Sequence, residues 1–167
     1  MTPTIYRDQV AKIAKTDTEA AAEIARKITD PWFEAQAWSH VARYADRPLV
    51  FTRKASKAAS KTKDNYYRSA VRAWEIAALA ERKYFDQARQ VLLEAVELTK
   101  TIEHEGSKAE AIMLLFPAAF KISKSDSEVV AEVFKKTSPM THWRAKRALK
   151  EIALILSGEQ PPREFFW

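Results

Sequence analysis

The residues of this chain that could perform chemistry are three histidines, His40, His104 and His142. His104 stands between Glu103 and Glu105, a set of possible metal ligands. Because adjacent residues on a helix point about 100° apart, these three side chains cannot converge on one ion without a turn. The chain has no cysteine and two glycines, which excludes thiolate metal sites, cysteine nucleophiles and glycine-rich phosphate loops. We therefore expect no enzyme activity, no metal and no cofactor.

Basic side chains are concentrated between positions 43 and 63, where Asp46 is the single acidic residue. Lys54, Lys57 and Lys61 have the spacing that places residues on one helical face. Such a face can bind the carboxylates of an acidic protein or the phosphates of RNA, and it can also be an ordinary solvated surface. A second basic cluster occupies positions 144–150. The candidate partner-binding residues are Arg43, Lys54, Lys57, Lys61, Arg68 and Arg72.

The sequence finishes on three aromatic residues, Phe165, Phe166 and Trp167, after the pair Pro161–Pro162. Exposed aromatic rings in water favour association, so we expect this tail to be docked. Two prolines form a stiff, extended spacer that would let the tail fold back over the last helix of its own domain. We favour this docking within the same chain. Insertion into a second copy of the chain, or binding of the tail to another protein, are the alternatives. The three aromatic residues are candidate docking residues.

Composition predicts an all-α protein. The chain is 47% hydrophobic and 30% charged, is rich in alanine and has two glycines, too few for the turns of a β-rich protein. The formal net charge of +6 is compatible with an acidic partner, either a protein or a nucleic acid. We find no apolar leader and no run long enough to cross a bilayer. We expect a cytoplasmic protein with no membrane partner.

Apolar residues recur with helical spacing in nine stretches, and polar residues between them predict where helices begin. Thr16, Ser107 and Ser125 each precede a glutamate by three residues, which is the spacing of a capping box. Asp30–Pro31 and Ser138–Pro139 each join a capping residue to a proline suited to the first helical position. These breaks leave short connections, so successive helices should run antiparallel.

Glycine and proline predict where helices end. Gly106 and Gly158 each follow an apolar stretch, where a helix often ends on a residue with left-handed backbone. Pro117 lies inside the seventh apolar stretch and predicts a kink or an end of that helix.

A two-residue pattern repeats along the chain at intervals of roughly 28 to 39 residues. Its members are Ile13–Ala14, Val41–Ala42, Ile76–Ala77, Leu115–Phe116 and Ile152–Ala153. The unit around residues 66–98 resembles a tetratricopeptide repeat, with Ile76–Ala77 at its Leu-Gly pair and Ala88 near its helix-B alanine. The glycine of that family is Ala77 here, and its mid-repeat tyrosine is Ala80. The resemblance implies an α-α superhelix of stacked hairpins, whose helix-A surface binds extended peptides.

Together these features predict a helical-repeat domain over residues 1–158 and a Pro/aromatic tail over residues 159–167. We expect a non-catalytic interaction module that binds an acidic or extended protein segment. RNA binding through the basic 43–63 face is one alternative. Another alternative is an assembly subunit that docks through its tail, either into a second copy of the chain, as a homodimer, or into another protein.

Overall fold

A computed structural model describes residues 1–166 of the chain. Ten helical segments follow one another: α1 (Pro3–Ile13), α2 (Thr18–Ala25), α3 (Pro31–Ala42), α4 (Pro48–Ser60), α5 (Asn65–Ala70), α6 (Arg72–Glu81), α7 (Phe85–Thr99), α8 (Glu105–Ile122), α9 (Lys124–Thr137) and α10 (Trp143–Leu156). Between α5 and α6, Val71 keeps helical angles of φ −68° and ψ −20°. These two segments are therefore one helix with a local irregularity, which gives nine helices over residues 1–166.

Some helix starts follow the local chemistry that the sequence predicts. Asp30 caps α3, because its carboxylate accepts a hydrogen bond from the Trp32 N–H at 2.9 Å, and Pro31 occupies the first turn. The prediction for Ser138–Pro139 is wrong, since Ser138 ends α9 and α10 begins only at Trp143.

The three capping-box predictions are displaced by one to three residues. The capping side chains are Asp17 for α2, His104 for α8 and Ser123 for α9. The Asp17 carboxylate accepts from the Ala20 N–H at 2.9 Å, and His104 Nδ1 accepts from the Ser107 N–H at 3.0 Å. Each loop offers several polar side chains that could cap a helix, and packing of the helix decides which one does so.

One of the two predicted glycine helix ends is wrong. Gly158 follows α10 with a positive φ of 81°, as predicted. Gly106 instead lies in the first turn of α8, where an added Cβ would stand 2.8 Å from Cε1 of His142. The absence of a side chain at Gly106 lets the start of α8 lie close to His142 at the start of α10. Pro117 does not end α8, which continues to Ile122 because its residues from Leu115 to Ala119 are buried on several sides.

The helices pack as hairpins, and the first helices of the hairpins also pack side by side. This row, which we call the A row, consists of α1, α3, α6, α8 and α10. Four of the repeated pairs lie within its members, beginning with Val41–Ala42 of α3, and the fifth, Ile13–Ala14, lies at the end of α1. The predicted all-α stack of helical hairpins is confirmed.

Two main apolar clusters hold the stack together. The larger contains the fully buried residues Ile76, Leu92, Phe116, Phe134 and Ile152, together with many alanines. The smaller cluster contains residues of α1, α2, α3 and α4. Alanines let helix axes approach closely, and apolar burial provides most of the driving force for folding. Within residues 1–166, no helix has both the length and the apolar character needed to cross a membrane.

Candidate functional site

The C-terminal tail folds back onto its own domain. Phe165 is 5% exposed and belongs to the larger apolar cluster. Its ring meets Trp74 of α6 edge-on, with 5.3 Å between ring centroids. Docking in the same chain was one of three predicted alternatives for the tail. Trp167, the third predicted docking residue, lies outside the described residues.

Phe166 lies close to cations at the ends of two helices. The guanidinium carbon of Arg43 lies 3.9 Å from the ring centroid, and Lys121 Nζ lies 5.7 Å from it on the α8 side. The His40 ring is 5.3 Å away, centroid to centroid. Arg43 also forms a two-point ion pair with Glu81 of α6, at 2.7 and 3.1 Å. The guanidinium is therefore positioned by α6 as well as by the tail.

A cleft continues beside Phe166, between α1 and α3. It has a volume of about 450 Å³ and is lined by Asp8, Ala11, Lys12, Lys15, His40, Arg43 and Phe166. We call the combined surface of this cleft, Trp74 and Lys121 the tail groove. Three of its cations lie at the ends of A-row helices, where positive charge is favourable for the helix dipole: Lys12 of α1, Arg43 of α3 and Lys121 of α8.

His40 forms part of the groove wall and is 8% exposed. Burial, followed by the nearby Arg43 and Arg7 guanidinium groups, lowers the pKa of His40 from 6.5 to about 4. The imidazole is therefore neutral at physiological pH. Its Nδ1 atom has no hydrogen-bond partner within residues 1–166. A second, smaller cavity of about 100 Å³ lies between His40, Trp74 and the two tail phenylalanines.

The six predicted contact residues do not share one surface. Arg43 lies in the tail groove, as described above. Lys54, Lys57 and Lys61 are exposed on α4, where Lys54 Nζ lies 5.1 Å from the Trp38 ring centroid. Arg68 of α5 donates a hydrogen bond to Asn65 at 3.2 Å.

Arg72, the sixth predicted contact, is turned toward the interior. It is 9% exposed, and its Nε lies 2.7 Å from the buried Glu75 carboxylate. A second ion pair at 3.2 Å joins it to Glu94. Burial raises the pKa of Glu75, and the Arg72 guanidinium opposes that rise. The observed role of Arg72 is to neutralise a buried carboxylate.

The groove residues Lys12, Lys15 and Lys121 were not predicted from the sequence. Lys12 lies in the last turn of α1, Lys15 follows in the turn after that helix, and Lys121 lies in the last turn of α8. In the sequence, Lys12 and Lys15 are visible as two lysines three positions apart, but the three lysines come together only when α1, α3 and α8 pack.

At one end of α4 the basic face meets aromatic rings. A cavity of about 330 Å³ is lined by Asp30, Pro31, Trp32, Lys61, Thr62, Lys63 and Tyr67. The Trp32 and Tyr67 rings meet edge-on at 5.3 Å, and Lys63 Nζ lies 4.8 Å from the Tyr67 centroid.

The histidines of the second half of the chain have a structural role. His104 and His142 cap α8 and α10, and their rings lie 5.5 Å apart. Glu105 accepts hydrogen bonds from the Thr141 and His142 N–H groups at 2.8 and 3.0 Å, which ties the start of α8 to the start of α10. Within the described residues, no group of three or more acidic, histidine or cysteine side chains is arranged to hold a metal ion.

No protein-family model and no curated protein matches the sequence. Among solved structures, the chain is similar to the crystal structure of Ton1535 from Thermococcus onnurineus NA1, with a TM-score of 0.62 at 20% sequence identity. The match covers 92% of this chain and 49% of Ton1535, so the chain spans about half the length of that protein. At this identity the likeness shows the fold alone, an all-helical stack.

Proposed function

We propose that the chain is a non-catalytic interaction module, whose tail groove receives an extended segment of an acidic partner protein. One observation carries the proposal: the groove already holds an extended segment, the tail itself, and an open basic cleft continues beside it. Lys12, Lys15 and Arg43 line this cleft, with Asp8 as its one acidic residue. Carboxylates of a bound segment would form charge-assisted hydrogen bonds with these cations.

The shape of the groove supports a peptide more than a compact ligand. The groove runs across the A row, from Lys121 of α8 past Trp74 of α6 to Lys12 of α1. Solenoids present such extended surfaces to linear segments of their partners. The proposal includes a cytoplasmic location for the protein.

Selection from a phage-displayed heptapeptide library on the full chain tests the proposed function. We expect enrichment of peptides rich in aspartate and glutamate. Two exposed ion pairs are worth up to about 1 kcal/mol each, so reversing both charges in Lys12→Glu/Lys15→Glu should weaken the selected peptides by roughly fivefold or more. Lys135→Glu/Lys136→Glu on α9 makes the same change in net charge away from the groove and should leave binding unchanged. Absence of enrichment, or equal binding by both variants, contradicts the proposal.

A second candidate is single-stranded RNA, which the cavity at the end of α4 favours specifically. Lys54, Lys57 and Lys61 can contact phosphates, while Trp32 and Tyr67 offer aromatic surfaces for an unpaired base. Binding of a fluorescein-labelled 12-nucleotide RNA, followed by anisotropy from 50 to 200 mM salt, tests it. Affinity should fall steeply with salt and be lost in Lys57→Glu/Lys61→Glu, while the α9 charge reversal retains it. Affinity that does not respond to salt contradicts RNA binding.

Docking of the tail into another molecule stays a prediction. In the structure Phe165 is buried against its own chain. Light scattering of the full chain over a hundredfold concentration range would reveal a homodimer that forms by tail exchange.

A further inference from the structure

The two phenylalanine positions of the tail groove differ in chemistry. The Phe165 position is apolar: the ring is 5% exposed, meets Trp74, and lies in the same cluster as Ile152 and Ile155. The tail's cation–ring contacts within residues 1–166 go to Phe166 instead. A carboxylate placed at the Phe165 position would be buried in this apolar cluster, which is strongly unfavourable. This position therefore accepts an apolar ring and rejects an acidic side chain.

The Phe166 position selects an aromatic ring for a second reason. Arg43 and Lys121 approach it from α3 and α8, and cations bind the face of an aromatic ring. Glu81 holds the Arg43 guanidinium by two contacts that do not involve the tail. The cation is thus in place before a ring arrives, which lowers the entropic cost of binding.

The tail is attached to the domain weakly outside these two rings. Residues 161–164 are exposed, and one ion pair, Arg163 with Glu151 at 2.7 Å, holds them near α10. The tail also fills the groove incompletely, since a cavity of about 100 Å³ remains beneath it and His40 Nδ1 has no partner within residues 1–166. An occupant on such a tether can leave while the rest of the domain stays folded.

We propose that the tail groove recognises a partner segment with two adjacent aromatic residues, and that Phe165 and Phe166 occupy this site in the same chain until such a segment displaces them. The inference rests on the proposed function and names the partner class of that groove. Acidic residues of the partner lie beside the aromatic pair, in the cleft of Lys12 and Lys15.

The short tether sets the size of the effect. A ligand joined by a few residues acts at an effective concentration in the millimolar range. If the tail binds its own groove with an intrinsic Kd of about 100 μM, roughly ten grooves are closed for each open one, and an external peptide binds about tenfold more weakly than it would bind an empty groove.

The test measures peptide binding to the full chain and to the full-length variant Phe165→Ala/Phe166→Ala by fluorescence anisotropy. The probes are fluorescein-labelled, amidated peptides with the sequences PPREFF, PPREAA and PPREEE. The first has the sequence of residues 161–166, the second lacks both rings and the third replaces them with acids. Leu93→Ala/Val129→Ala, which removes two exposed apolar side chains elsewhere, is the matched control. Circular dichroism reports folding, and Phe166→Ala alone serves if the double variant unfolds.

We expect PPREFF to bind the tail variant about tenfold more tightly than it binds the wild type or the control. PPREAA and PPREEE should bind at least tenfold more weakly than PPREFF, and Arg43→Ala added to the tail variant should weaken PPREFF. Equal binding of PPREFF by wild type and tail variant overturns closure by the tail. Binding of PPREEE as tight as that of PPREFF overturns the aromatic partner class and leaves the proposed function standing. No binding of any probe by a folded tail variant overturns the aromatic partner class, and the library selection on the wild-type chain decides separately whether the proposed function also fails.

Discussion

Replacing Arg72 by leucine tests whether this residue is structural, as the structure shows, or available to a partner, as the sequence suggests. Arg72 and Glu75 are 9% and 4% exposed, and 2.7 Å separates Nε from the carboxylate oxygen. Removing one member of a buried ion pair leaves an uncompensated charge and costs about 3–5 kcal/mol. A domain of this size is stable by roughly 5–15 kcal/mol, so Arg72→Leu should lose a large part of its stability.

The loss should depend on pH in a defined direction. Burial already raises the pKa of Glu75 in the folded state, and loss of the Arg72 guanidinium removes the main opposing effect. A carboxyl group whose folded pKa lies above its unfolded pKa favours folding at low pH, and this contribution disappears as pH rises toward the folded pKa. Arg72→Leu should therefore be closer to the wild type at pH 5 than at pH 8, by about 1 kcal/mol or more.

Urea unfolding at pH 5 and pH 8, followed by circular dichroism, measures both effects. The double variant Arg72→Leu/Glu75→Leu removes the stranded charge, and its stability should return to within about 1 kcal/mol of the wild type. A loss below about 1 kcal/mol at pH 8, or an equal loss at both pH values, would refute the structural role and return Arg72 to the candidate partner surface.

Three further predictions concern the histidines. His40 has a folded pKa of about 4 against 6.5 when unfolded, so its contribution to stability is present above pH 6.5 and is lost as pH falls toward 4. In urea titrations, the difference in unfolding free energy between the wild type and His40→Gln should shrink by about 2–3 kcal/mol between pH 7 and pH 4.5. A difference that stays constant with pH contradicts the burial of His40. In Phe166→Ala the ring that covers His40 is gone, so an NMR titration should find its pKa closer to 6.5, and an unchanged value would show that the tail does not cover it. Gly106→Ala should destabilise the protein by about 1–3 kcal/mol in thermal or urea unfolding, because the added Cβ would stand 2.8 Å from His142 and 2.9 Å from His104. In the background His104→Ser/His142→Ser, which keeps capping side chains and removes both rings, the same Gly106→Ala change should be neutral or stabilising.

The sequence predicted those parts of the fold that depend on local chemistry. The helical period, the Asp30 cap and the left-handed Gly158 are each determined by residues close together in the chain. The prediction that Gly106 ends a helix is wrong because the need for glycine comes from His142. That residue lies 36 positions later and reaches Gly106 only when α8 and α10 pack. Pro117 does not end α8 for a similar reason, since burial of its neighbours keeps α8 helical past the missing N–H group.

The candidate site was predicted less completely than the fold. Of the six predicted contacts, Arg43 lies in the tail groove, and nothing in its spacing distinguishes it from Arg72, which is buried against Glu75. Charge patterning along one helix identifies exposed faces such as that of Lys57 and Lys61. It does not show which charges meet across helices, and the groove is built from four helices (α1, α3, α6 and α8) and the tail.

The small residues of α6 explain why a groove forms where the tail lies. Trp74 and Glu81 are seven residues apart and share one helical face, on which Trp74 meets Phe165 and Glu81 pairs with Arg43. Ala77 and Ala78 stand between them at the spacing of the same face, with side chains too short to rise between α3 and α8. The walls carry longer side chains, Arg43 and Lys121, which meet on the ring of Phe166. The short side chains at positions 77 and 78 thus keep the middle of the A row low enough for two aromatic rings to enter.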